Sequence, residues 1–122
     1  MLIDELVASA PVITDGAWGT QLQSRGLTGG ACPDQWNLTQ PEIVAEVPSA
    51  YVEAGSQIVL TNTFRANRVA LASYDLANQA EQINRAGVEI SRRAVQGQAL
   101  VFASMGPSGK MLISGEVTPE EL

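Results

Sequence analysis

The stretch Ile58-Val59-Leu60-Thr61-Asn62-Thr63-Phe64 changes character halfway along. Three β-branched or aliphatic residues are followed at once by hydroxyl and amide side chains, as where a buried strand opens onto a polar pocket. Periodicity alone does not separate so short an apolar run from buried helix. Gly55 upstream and the polar stop downstream favour strand. Two further runs repeat the pattern: Val12-Ile13-Thr14 leads into Asp15-Gly16-Ala17-Trp18-Gly19-Thr20, and Leu100-Val101-Phe102-Ala103 leads into Ser104-Met105-Gly106-Pro107-Ser108-Gly109. None alternates apolar with polar, which suits a parallel sheet covered on both faces.

The segments between read mainly as helix. Leu2 to Ala8 is a short leading helix, and Thr20 to Arg25 is about one turn. Gly26 to Asp34 is an irregular excursion rich in Gly and Pro. Thr39-Gln40-Pro41-Glu42 has the spacing of a capping box, and Ile43, Val47, Tyr51 and Ala54 follow at helical spacing up to Gly55. Pro48 should kink or split that helix, at a cost of about 3 kcal/mol. Ala66 to Tyr74 predicts a short helix. Asn78 to Val95 predicts a longer one, with Ile83, Ala86, Ile90 and Ala94 on its buried stripe and Glu81–Arg85 and Glu89–Arg93 pairs outside. Thr118-Pro119-Glu120-Glu121 announces another helix, so the expectation is the front part of a longer protein.

Strand and helix in alternation imply an α/β chain with parallel strands, about three βα units. In such sheets ligands bind beyond the carboxyl ends of the strands, where the polar endings fall here. Three strands leave two open edges that something else must cover.

The composition excludes several classes. With 122 residues and 45% apolar content the chain can bury one moderate core. The mean hydropathy is +0.05. A formal net charge of −6 argues against a nucleic-acid or anionic-membrane surface. No run approaches the roughly 18 apolar residues of a membrane span. The single cysteine, Cys32, forbids an internal disulfide and fits a reducing cytoplasm. The absence of histidine removes the commonest general base and metal ligand.

Asp15 either binds an ammonium group or caps the Asp15-Gly16 turn. Thr61, Asn62 and Thr63 either contact a ligand or cap the strand. Gly106-Pro107-Ser108-Gly109-Lys110 fails as a phosphate loop: its glycines are too close, and Met111 stands where Ser or Thr belongs. Cys32, without a His partner, reads as structural. Trp18 and Trp36 read as packing under a loop. No residue qualifies as catalytic or as a metal ligand.

Taken in order, Asp15-Gly16-Ala17-Trp18-Gly19-Thr20, Cys32-Pro33-Asp34, Trp36-Asn37-Leu38-Thr39-Gln40-Pro41-Glu42, Tyr51-Val52-Glu53-Ala54-Gly55, Leu60-Thr61-Asn62-Thr63-Phe64 and Ser104-Met105-Gly106-Pro107-Ser108-Gly109 resemble the homocysteine S-methyltransferase family. The resemblance implies that residues 1–122 are the N-terminal part of a TIM (β/α)8 barrel, a partial homocysteine-binding domain. It implies methyl transfer to the thiol of homocysteine, giving methionine. Asp15, Gly16, Thr61, Asn62 and Thr63 match positions that hold the amino-acid part. Zinc activates the thiol in the complete family enzyme because coordination yields a thiolate. The family's three zinc cysteines lie outside this region, Cys32 matches a loop cysteine, and an acid from the fourth strand is also outside. Pro48 stands where relatives commonly have His. The methyl donor stays open among methylcobalamin or methylfolate, betaine and S-methylmethionine. Two other readings stand beside this one: a non-catalytic shortened barrel acting by self-association, or a small-molecule binding module. The expected partners are homocysteine and either the rest of the barrel or another copy of the chain.

Overall fold

The computed structural model describes residues 2–122. The chain runs α1 (Leu2–Ala8), α2 (Gly19–Gln23), α3 (Trp36–Thr39), α4 (Pro41–Glu53), β1 (Ile58–Leu60), α5 (Arg68–Leu71), α6 (Ala80–Val95) and β2 (Leu100–Phe102). Short 3-10 turns cover Ala72–Tyr74, Ala77–Gln79 and Pro119–Glu121. The sheet is parallel, with Ile58 opposite Leu100, Val59 opposite Val101 and Leu60 opposite Phe102.

The expected first strand is shorter than its sequence suggests. Only Thr14 bridges to Ile58, in parallel. Around that bridge, Gln57 N donates to Ile13 O at 2.7 Å and Asp15 N to Ile58 O at 2.9 Å. Pro11 has no N–H to extend a ladder, and the next donor on the edge facing β1, Ile13 N, goes to the Gln57 side chain at 2.9 Å. The segment therefore flanks β1 on the side opposite β2 without becoming a regular strand.

The helix at Pro41 runs unbroken to Glu53, contrary to the expected break at Pro48. Pro48 is buried with Val44 and Val47, at the spacing of one helix face. Burying that face against α2, α3, α6 and β1 offsets the lost backbone bond. The expected capping box at Thr39 does not form either. Thr39 closes α3, and Gln40 precedes α4 without a side-chain cap. The stop at Gly55 holds: Gly55 N donates to Val52 O at 2.9 Å and Ser56 N to Tyr51 O at 3.0 Å, with Gly55 at φ 101°. That is a Schellman ending, which needs a left-handed residue.

Ala66 to Tyr74 is helical only from Arg68, as α5 followed by a 3-10 turn, and the long helix begins at Ala80 rather than Asn78. The buried face of α6 is turned from the expected stripe. Ile83, Gly87, Ile90, Ser91 and Val95 are inside, while Ala86 and Ala94 are only half-buried. The expected Glu81–Arg85 pair forms at 3.0 Å on the exposed surface. Thr118 and Glu121 make the reciprocal bonds of a capping box on the final 3-10 turn.

Two apolar clusters hold the chain. Leu22, Leu27, Val44, Val47 and Ile90 form one, flanked by Trp18, Trp36 and Tyr51. Cys32, Ala66, Leu71, Leu76 and Ile83 form the other. Trp36 thus packs as the sequence suggests, and Cys32 is a core residue. No helix among the described residues is long and apolar enough to cross a membrane.

Candidate functional site

The turn after Thr14 is built around Asp15. Its Oδ2 accepts from Leu60 N at 2.8 Å and from Trp18 Nε1 at 2.8 Å. The carboxylate takes a strand N–H of β1 that a neighbouring carbonyl would otherwise accept, so the backbone is free to turn away at Gly16. Tyr51 Oη donates to Ala17 O at 2.6 Å and braces the turn from α4. A Cβ on Gly16 would lie 3.2 Å from that hydroxyl, which favours glycine there.

Beyond β1, Thr61, Asn62 and Thr63 are all buried. The Thr61 and Thr63 hydroxyls are 2.6 Å apart. Thr63 Oγ1 donates to Ser104 O at 2.7 Å, so between the two hydroxyls Thr61 Oγ1 donates and Thr63 Oγ1 accepts. Thr61 Oγ1 also accepts from Ser104 N at 3.1 Å. This closed circuit ties the ends of β1 and β2 together. Asn62 Nδ2 donates to Pro33 O and to Asn37 Oδ1, each at 2.9 Å. Asn37 Nδ2 returns a bond to Asn62 O at 2.8 Å. Helix α6 seals the arrangement from below: Ser91 Oγ donates to Leu60 O at 3.0 Å. A Cβ on Gly87 would come within 2.7 Å of Thr63 Cγ2 and 2.8 Å of Asn37 Nδ2.

Above these ends lies a cavity of about 340 Å³ lined by Gly16, Trp18, Gly19, Pro33, Asp34, Leu60, Thr61, Asn62, Phe64, Arg65 and Ser104. Gly16, Thr61 and Asn62, three of the residues singled out from sequence, therefore share one wall. Asp15 stands behind that wall and holds Trp18 and Leu60 in it. Thr63 lines an adjacent hollow of about 400 Å³ with Phe64, Asn67, Asn84 and Ser104. Trp18 belongs both to the core edge and to the cavity, so packing accounts for only part of it.

Asp34 and Arg65 carry charge into this cavity and were not singled out individually from sequence. Asp34 is 2% exposed, and its Oδ2 accepts from Arg65 N at 2.9 Å. Burial pushes its carboxyl above the usual range, against the opposing pull of that amide. The available signal was an acid embedded in a Gly/Pro-rich loop with core residues on either side. Burial likewise raises the Cys32 thiol, which keeps it protonated and unreactive at neutral pH.

Among the described residues no group of three His, Cys, Asp or Glu side chains is placed to hold a metal ion. The donor set for a zinc-bound thiolate is thus not met by these residues, and Cys32 is packed in the core away from that role. What the cavity does offer is hydrogen-bonding and charged groups suited to a small polar molecule.

Fold and cavity define an α/β protein with a hollow at the carboxyl ends of its parallel strands. Residues 12–122 match the profile of the homocysteine S-methyltransferase family, and the chain belongs to that family. It is 35% identical over 121 residues to methionine synthase of Mycobacterium leprae and 33% identical over 121 residues to that of Mycobacterium tuberculosis. Each comparison covers 88% of this chain and 10% of the relative, so the chain spans about a tenth of the length of those enzymes. The metallated form of the Escherichia coli homocysteine methyltransferase MmuM superposes with a TM-score of 0.76 and 27% identity, over 93% of this chain and 44% of that one. Its oxidized form gives 0.75 and 25%, over 88% and 41%.

Proposed function

We propose that residues 1–122 are a partial homocysteine-binding domain, the first part of a TIM (β/α)8 barrel, and that they supply part of the amino-acid pocket of a homocysteine S-methyltransferase. The observation that carries this reading is the cavity bounded by Gly16, Thr61 and Asn62 at the carboxyl ends of the parallel strands. Asp15 and Thr63 position that wall, Asp15 through Trp18 and Leu60, Thr63 through Ser104. In the complete enzyme a methyl group passes to the thiol of homocysteine, giving methionine, and the chain serves methionine biosynthesis in the cytoplasm. The groups that activate the thiol, zinc ligands included, come from elsewhere than the described residues. The methyl donor is methylcobalamin or methylfolate, betaine or S-methylmethionine.

Isothermal titration of the 122-residue chain with L-homocysteine, with and without zinc, tests the pocket. The expected result is weak binding that zinc leaves unchanged, because the contacts are to the amino-acid part. No binding, or binding only with zinc, would refute the assignment.

A second reading, self-association, is favoured by apolar side chains exposed in the segment after β2. Met105 is 90% and Ile113 95% exposed. Light scattering that shows only monomer at high concentration would count against self-association.

A further inference from the structure

Next to the amino-acid cavity lies another hollow, of about 450 Å³, that shares only Phe64 and Arg65 with it. One wall carries Arg65, Ser73 and Tyr74, from the segment that follows β1. The other is the loop after β2, with Ser108, Gly109 and Lys110. Its lining includes two cations and three hydroxyl groups but no carboxylate, in a chain with 13 acidic and 7 basic residues. A surface so biased towards acids makes an acid-free, doubly cationic groove a selective feature.

Both walls are held in place before any ligand arrives. Arg65 Nη1 donates to Tyr74 Oη at 2.8 Å, which orients the guanidinium, and Arg65 N is anchored on Asp34. Ser108 Oγ accepts from Lys110 N at 3.2 Å and donates to Lys110 O at 3.3 Å, closing the turn that presents the lysine. Asn67 Nδ2 donates to Pro107 O at 3.3 Å across the two walls. Gly106 approaches Phe64 O so closely that no Cβ fits between them. Ser73 and Ser108 already donate their hydroxyl protons to Ala70 O and Lys110 O, so the donors the groove offers are the Arg65 guanidinium, the Lys110 ammonium and the Tyr74 hydroxyl, a set that matches an oxyanion.

We propose that this groove binds the carboxylate or phosphate group of a second small molecule, held beside the amino-acid cavity. The recognition runs through side chains and not through a phosphate loop, since the residues that directly follow Lys110, 111–117, form turns and no helix. On the methyl-transfer reading above, a second reactant has to sit next to the amino acid, and the groove shares Phe64 and Arg65 with that cavity. Binding itself does not depend on that reading. Because the groove is open to water, the interaction is weak and screened by salt.

Proton–nitrogen correlation spectra of the full chain, titrated separately with inorganic phosphate, tricarballylate and tetramethylammonium, test the proposal. The expected result is a saturable shift of the Arg65, Ser73, Tyr74 and Lys110 amides with at least one anion, weakened by added sodium chloride and absent with the cation. Phosphate alone or tricarballylate alone would identify which oxyanion is preferred. Lys110→Gln should weaken the anion about two- to fivefold, the loss expected for one exposed charge contact. Arg92→Gln, exposed on α6 and outside the groove, should leave it unchanged. No saturable shift with either anion, or equal weakening by both variants, would overturn the proposal. Homocysteine should bind Lys110→Gln as it binds the parent chain. Loss of homocysteine binding with the anion retained would instead sink only the amino-acid reading.

Discussion

Replacing Thr63 by Val removes a hydroxyl while keeping the side chain's shape. In the native chain that hydroxyl accepts from Thr61 and donates to Ser104 O, in a site where Thr63 is 5% and Thr61 2% exposed. Two hydrogen bonds disappear, worth about 1 kcal/mol each, and the Thr61 hydroxyl and Ser104 carbonyl lose partners in a water-poor site. The expected loss is about 2–4 kcal/mol, a large part of a stability of about 5–15 kcal/mol. With a urea slope of about 2 kcal/mol per molar, the unfolding midpoint should fall by roughly 1–2 M. Trp18 and Trp36 fluorescence, alongside far-ultraviolet circular dichroism, reads that transition. Thr63→Ser is the control: it keeps both bonds and loses only the methyl group facing Gly87, for about 1 kcal/mol. If Val unfolds like the parent, or Ser proves the more damaging change, the hydroxyl circuit does not join the strand ends as described.

Other substitutions probe the same architecture from different sides. Gly87→Ala should destabilise by about 1–3 kcal/mol in thermal melts: the crowding against Thr63 and Asn37 outweighs the roughly 1 kcal/mol gained in helix propensity. Asp15→Ala should cost about 2–3 kcal/mol and shift Trp18 emission, because Leu60 N and Trp18 Nε1 lose one shared acceptor. It should also weaken homocysteine in calorimetry. Asp34 gives a pH signature. Its folded carboxyl titrates above the ordinary value of 3.8, so the folded state binds the proton more tightly than the unfolded one. Its contribution is complete below the unfolded value and is lost as pH rises through the raised folded one. The stability advantage of the parent over Asp34→Asn should therefore shrink across that window in urea midpoints; a widening gap would contradict the assignment.

Local chemistry written along the chain determined more of this protein than its short elements suggest. The apolar runs with abrupt polar endings marked β1 and β2, the polar tips, and the side of the sheet on which the cavity lies. Gly55 marked the end of α4 because only a left-handed residue completes that stop, a rule that acts within six residues. Tertiary structure decided what depended on distant partners. Pro48 stays inside α4 because its face is buried, a gain that local propensity does not contain. Thr39 caps nothing because α3 claims it first. The inner face of α6 turns on Gly87 and Ser91, which a count of apolar residues passes over; they lie inside because Thr63 and Asn37 leave no room for a side chain at Gly87 and Leu60 O takes the Ser91 hydroxyl. The charged residues of the cavity, Asp34 and Arg65, are 31 positions apart and meet through one backbone hydrogen bond. Periodicity and turn chemistry are short-range and can be read in sequence, whereas burial and close approach are settled only when remote segments pack.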